Sequence, residues 1–183
     1  MFAEGKLLSK ENVYEKAKRE MRLPEKILAE IPGFRGYKER ELRRESDKLV
    51  RDAVFQRLRE TRNDLREVFQ ILSDQKFHEV MVKMDRLIMR FDRVTQKVNH
   101  ATYGYSGFFD IVKIDEAKLD RMLAFDSELV DYATVLVDKS KALKKEVMDN
   151  KFEAVIEKIK DIEESLNSLE SMFDARKEVI LEG

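Results

Sequence analysis

Asp74-Gln75-Lys76-Phe77 recurs further along the chain as Asp149-Asn150-Lys151-Phe152. The echo continues at the same offset: Val80 with Val155, Met81 with Ile156, Lys83 with Lys158, Met84 with Ile159 and Leu87 with Ile162. Each copy lies between two stretches of helical apolar spacing. One helical hairpin written twice accounts for both observations, and it sets the expected fold.

Upstream of the first copy, Val54, Leu58, Leu65, Val68 and Leu72 follow alternating steps of four and three, with Thr61 in the one polar gap. Downstream, Phe77, Val80, Met84, Leu87, Phe91, Val94 and Val98 keep the same spacing unbroken. Sustained spacing of this kind marks a helix–helix seam. Helices are therefore expected over about 38–72 and 75–99. The second copy gives helices over about 115–148 and 150–180. Their seams are Leu119, Met122, Leu129, Ala133, Leu136, Leu143 and Val147, then Phe152, Val155, Ile159, Ile162, Leu166, Leu169 and Phe173. Two polar residues, Asp126 and Ser140, fall on seam positions. Asp74, Asp115 and Asp149 are the expected N-caps, and the hairpin breaks span one or two residues. Connections this short make paired helices antiparallel neighbours. A helix of about 30 residues is about 45 Å long.

Ahead of the hairpins, Ser9 is placed to cap a helix running to about Arg22. Leu23-Pro24 interrupts it, because proline disfavours helix at the preceding residue. Pro24 suits the first turn of a short piece over Glu25–Glu30. Ile31-Pro32-Gly33-Phe34-Arg35-Gly36-Tyr37 is the strongest turn signal in the chain. The expected fold is all-α, an elongated four-helix bundle of two long antiparallel helical hairpins plus an N-terminal helical segment. It forms one domain over 1–183: N-terminal helix and Pro/Gly turn at 1–37, first hairpin at 38–99, Gly/aromatic crossover at 100–114, second hairpin at 115–183.

Composition agrees. Charged residues make up 40% of the 183, far above the roughly 25% of an average domain, and there are two prolines and six glycines. Long solvated helices with paired charges have this profile, as do thermophilic proteins. With no cysteine, disulfides, thiolate zinc sites and cysteine nucleophiles are excluded. The N-terminus lacks the apolar run of a signal peptide. No stretch approaches the roughly 20 apolar residues of a membrane span. The expectation is a soluble cytoplasmic protein. A net charge of −1 gives no global pull toward nucleic acid or membrane.

The bundle invites a di-iron site, which needs Glu-x-x-His on facing helices. His78 has Gln75 three residues before it and His100 has Lys97, so the motif is absent. No metal and no cofactor is expected. Asp126 stands out because it lies on the seam, where a carboxylate needs a partner or a raised pKa. A buried pair with an arginine, or a register-fixing polar residue, is the plainer expectation. A general acid or metal ligand is the sharper one.

Two segments are candidate interaction sites. The first is a basic helix start, Arg35, Lys38, Arg40, Arg44, Lys48 and Arg51, beside Phe34 and Tyr37. Across 35–66 there are eleven Lys/Arg against seven Asp/Glu. Such a stripe could track phosphates while rings stack on bases, or lie on an anionic membrane. Against this, Glu39, Glu41, Glu45, Asp47 and Asp52 interleave and can pair at i,i+4. The second is the loop Tyr103-Gly104-Tyr105-Ser106-Gly107-Phe108-Phe109. It matches neither a P-loop nor Gly-x-Ser-x-Gly. Its rings either plug one end of the bundle or form a ligand or partner patch.

No catalytic motif is found. The expected role is a cytoplasmic, non-enzymatic interaction or structural protein. Binding of nucleic acid or an anionic surface through 35–51 is the first alternative. A small-molecule binder or enzyme using Tyr103–Phe109 is the second. A homodimer is expected, because Val54-Phe55, Met122-Leu123 and Leu136-Val137 widen the apolar stripe beyond one seam.

Overall fold

The computed structural model describes residues 27, 30–33, 40–75, 77–101 and 116–181, and not the side chains of 40–45, 116–119 and 177–181. Among the described residues there are four helices and no strand: α1 (Arg40–Asp74), α2 (His78–His100), α3 (Glu116–Met148) and α4 (Val155–Leu181). The protein is all-α, as its spacing indicated.

The seams become the core. Val54, Leu58, Leu65, Val68 and Leu72 of α1 are buried, and so are Val80, Met84, Leu87, Phe91, Val94 and Val98 of α2. Met122, Leu129, Ala133, Leu136, Leu143 and Val147 of α3 join them, with Val155, Ile159, Ile162, Leu166, Leu169 and Phe173 of α4. Each such leucine or valine contributes about 1.5–3 kcal/mol through removal from water. Thr61, the gap in the α1 seam, is also buried. Its hydroxyl donates to the carbonyl of Arg57 at 3.0 Å, one turn back, so no unsatisfied donor enters the core. Ile27 and Ile31 extend this core, and Ile31 N donates to Ile27 O at 2.8 Å. The turn foreseen at Pro32-Gly33 is present, with Gly33 at φ 88, a conformation glycine adopts without strain.

α1 packs against α2 and α3, and α4 packs against α3 and α2; the α2–α4 contact is the sparsest of the four. Salt bridges give the helix directions. Lys141 of α3 meets Glu60 of α1, and Lys144 meets Asp64 and Glu67, so numbering rises together along these helices. The same holds for α2 and α4, where Arg90 meets Glu163 and Lys97 meets Asp174. The two hairpins thus lie side by side in the same sense, with both turns at one end.

Both turns differ from expectation. Asp74 does not cap α2; it is the last residue of α1. The residue at the α2 N-cap is Phe77, which makes no side-chain capping bond. Asp149 does not cap α4 either, since α4 begins only at Val155. The physical reason is that the preceding helices close their own carbonyls. Phe77 N donates to Leu72 O at 3.1 Å, and Lys151 N donates to Glu146 O at 2.9 Å. In the second turn Asn150 N also donates to Val147 O at 3.1 Å, with Asn150 at φ 57. This is a Schellman C-cap with asparagine in the left-handed position. The sequence echo matches Phe77 with Phe152, whereas the equivalent closing bond comes from Lys151, so the two turns are out of step by one position. Phe77 is consequently not a seam residue: it is 36% exposed, and its ring lies against Phe152.

The widened stripe is consumed within the chain. Leu123 and Val137 are buried in this one copy, and Phe55 is half-buried beneath the Arg59 guanidinium, 5.6 Å from the ring centroid. These residues therefore do not supply the surface expected for a second copy.

Candidate functional site

Of the basic stripe, Arg35 and Lys38 lie outside the described residues, as do Phe34 and Tyr37. Arg40 and Arg44 lie in the first turns of α1 with their side chains outside the description, and Lys48 is exposed. Arg51 departs from expectation. It is 7% exposed and turned inward, because Asp47 one turn earlier holds it through Nε and Nη2, each at 3.0 Å. It does not share the open face of Lys48. The loop residues Tyr103, Tyr105, Phe108 and Phe109 all lie outside the described residues. His78 and His100 are exposed, and among the described residues no cluster of metal-ligating side chains occurs.

The Arg51–Asp47 pair is one end of a buried ionic chain. Arg176 of α4 is 1% exposed, and its Nη1 stands 2.7 Å from Asp47 Oδ1. Its Nε donates to Asp126 Oδ1 at 2.5 Å. Charges alternate along Arg51, Asp47, Arg176 and Asp126, so the group is neutral as a whole. It ties α1, α3 and α4 at the end of the bundle away from the turns. Asp126 has the buried arginine partner its seam position called for. Arg176 escaped the sequence reading because its partners, Asp126 and Asp47, stand on other helices far back along the chain. The available signal was the heptad itself, which continues from Phe173 to position 176.

Ser140, the other polar seam residue, donates to Asp64 Oδ2 at 3.2 Å and to Val137 O at 2.9 Å. Lys144 closes on the second Asp64 oxygen at 3.0 Å and on Glu67 at 2.7 Å. Bonds to Glu67 and then Asp64 raise the Lys144 ammonium above its ordinary range despite opposing desolvation. On the α1–α3 face the carboxylates thus belong to the first hairpin and the ammonium groups to the second. On the α2–α4 face the signs are reversed: Arg90, Arg93 and Lys97 meet Glu163, Glu170 and Asp174. Burial lowers the Lys97 pKa, but hydrogen bonds to Asp174 and Glu170 outweigh this and hold it above the usual value.

The outer face of the second hairpin carries an open groove of about 600 Å³ between α3 and α4. Glu128 and Asp131 of α3 and Asp161 and Glu164 of α4 line it, together with Tyr132 and Val135. Small side chains, Ser165 and Ser168, keep the α4 wall low, and each hydroxyl is turned back onto a helix carbonyl. Lys139 is the single cation in the lining; it meets Asp161 at 2.6 Å and Ser165 at 2.8 Å. Val135 is 42% exposed. The groove leaves no mark on the seam pattern, because its lining lies off the seam. Tyr132 and Val135, three apart and off that seam, were the signal.

Comparison with known proteins adds no relative: no family model matches the sequence, and no curated protein or solved structure is similar to it.

Proposed function

We propose that this chain is a rigid helical-bundle scaffold, a non-enzymatic interaction protein working in the cytoplasm through its outer helical faces. The observation that carries this is the use made of the buried charges. Asp47, Arg51, Asp126 and Arg176 are spent on one another across three helices, and Asp64 on Ser140 and Lys144. Buried ion pairs add little net stability over apolar replacements. Their best-attested use is to fix one register among alternatives. A chain that buries charge to hold its helices in register is suited to presenting fixed surfaces. Binding of nucleic acid by the basic helix start has weaker support, since Arg51 is withdrawn from that stripe.

Native mass spectrometry of the protein purified from its own cells tests the proposal. The expected result is a complex with another protein chain, or with a second copy, and no retained small molecule. A stoichiometric organic ligand or metal would overturn it.

A further inference from the structure

We infer that the charged residues flanking the core form an orientation code between the two hairpins. They make the second hairpin dock on the first with both turns at one end. They reject the docking with the turns at opposite ends. This holds whether or not the chain works as a scaffold.

The apolar seams do not make the choice. Both hairpins turn the same three-and-four apolar spacing toward each other, so either sense of docking buries a seam against a seam. Near-symmetric bundles meet this ambiguity in general, and something other than the apolar pattern has to break it. The connection does not decide it either. Residues 102–115 reach about 46–50 Å when extended. That is comparable with α3, whose 33 residues span about 50 Å.

The charges do discriminate. Toward the second hairpin, α1 offers the carboxylates Glu60, Asp64 and Glu67, and α2 offers the cations Arg90, Arg93 and Lys97. Toward the first hairpin, α3 offers Lys141 and Lys144, and α4 offers Glu163, Glu170 and Asp174. In the observed sense these contacts all join opposite signs. Turning the second hairpin end over end keeps its seam facing inward, but brings α4 opposite α1 and α3 opposite α2. The carboxylates of α1 then face those of α4, and the cations of α2 face those of α3. Like charges set against each other across an interface suppress the wrong pairing. The side chains of Asp64 and Glu170 are only 11% and 19% exposed, so salt screens them less than the outer pairs.

The buried ionic chain obeys the same rule. Asp47–Arg51 lies within the first hairpin and Asp126–Arg176 within the second, so each of these pairs is neutral by itself. The contact of Arg176 with Asp47 crosses between hairpins, and it needs the ends away from the turns to lie together.

The test uses the full chain, which has no cysteine of its own. Ser73→Cys and Met148→Cys place spin labels at exposed positions in the last turns of α1 and α3. Labelled chain is mixed with excess unlabelled chain of the same kind and refolded from urea, so that only distances within one chain are read. The pair is measured in the otherwise wild-type chain and in two charge-reversed chains. One reverses the second hairpin: Lys141→Glu, Lys144→Glu, Glu163→Lys, Glu170→Lys and Asp174→Lys. The other adds the reversal of the first: Glu60→Lys, Asp64→Asn, Glu67→Lys, Arg90→Glu, Arg93→Glu and Lys97→Glu.

The wild-type charges should give one short distance, since packed helices lie about 8–10 Å apart. Reversal of the second hairpin should shift the distance to more than about 30 Å. Opposite docking separates the labels by at least the length of α2, whose 23 residues span about 34 Å. Reversal of both hairpins should bring the short distance back.

A short distance alone in the second-hairpin reversal would overturn the inference, because the sense would then be set without these charges. If circular dichroism shows that this variant has lost its helices, the fully reversed chain decides. Recovered helix with the short distance supports the code, and no recovery overturns it. Failure here leaves the scaffold standing, and a retained cofactor in the native spectrum leaves the code standing.

Discussion

The rings of Phe77 and Phe152 pack on each other with centroids 4.8 Å apart and planes at 39°. These are matched positions of the sequence echo, so equivalent positions of the two hairpins meet in space. The contact exists because the hairpins lie side by side in the same sense, which brings both turns to one end. Each phenylalanine carbonyl also starts the next helix, accepting from Met81 N at 3.1 Å and Val155 N at 3.3 Å. A tilted aromatic pair is worth about 0.5–1.5 kcal/mol beyond area burial. A double-mutant cycle of Phe77→Ala and Phe152→Ala, read by urea denaturation, should return a coupling in that range. Additive losses would mean that each ring contributes only its own burial.

The hairpins, their helices and nearly all core positions were readable because a seam repeats every three to four residues and leaves a local record. The turns were misread because an aspartate ahead of an apolar run is a general N-cap signal. Here the outgoing helix closes itself through backbone bonds, and no side chain reports that in advance. Asp126 was legible as a buried carboxylate, but its partner was not, since pairing between α3 and α4 at that distance along the chain depends on how the helices pack. The α3–α4 groove was invisible for a related reason. It arises from what is small at Ser165 and Ser168 on one helix and apolar at Tyr132 and Val135 on another.

Arg176 should be among the most sensitive positions in the chain. Replacing it by leucine removes the Nε bond to Asp126 and the Nη1 contact to Asp47 from the core. Breaking a buried pair in this way costs about 3–5 kcal/mol. Adding Asp126→Leu should recover much of the loss, because it removes the buried carboxylate that Arg176 had bonded at Nε while Arg51 still holds Asp47. Chemical denaturation of the single and double variants checks this. A single variant that loses under about 1 kcal/mol would show that water reaches the site.

Asn150 holds the left-handed C-cap position at φ 57. Alanine there meets a steric penalty of about 1 kcal/mol, whereas glycine does not. For a chain of this size the alanine variant should melt about 2–4 °C lower, with Asn150→Gly equal to or above wild type. Calorimetry decides the order. A more stable alanine variant would mean that the turn rearranges rather than holding its present geometry.

Alkali should loosen the α2–α4 face. Lys97 has a folded pKa raised above 10.5 by Asp174 and Glu170 against the opposing effect of burial. A proton held more tightly in the folded state stabilises the fold while both states remain protonated. That contribution is therefore complete below about pH 10.4, the ordinary lysine value, and drains away as pH climbs through the higher folded value. Lys141 and Lys144 shift in the same direction on the α1–α3 face, so total stability alone cannot isolate Lys97. Comparison with Lys97→Met does. Urea midpoints at about pH 9 and about pH 11, either side of that titration, should fall less in the variant than in wild type. At about pH 9 the variant should already be the less stable of the two, since Glu170 keeps only the longer contacts to Arg90 and Arg93, at 3.5 and 3.8 Å. Equal alkaline losses in both proteins would assign the sensitivity to the lysines of the other face.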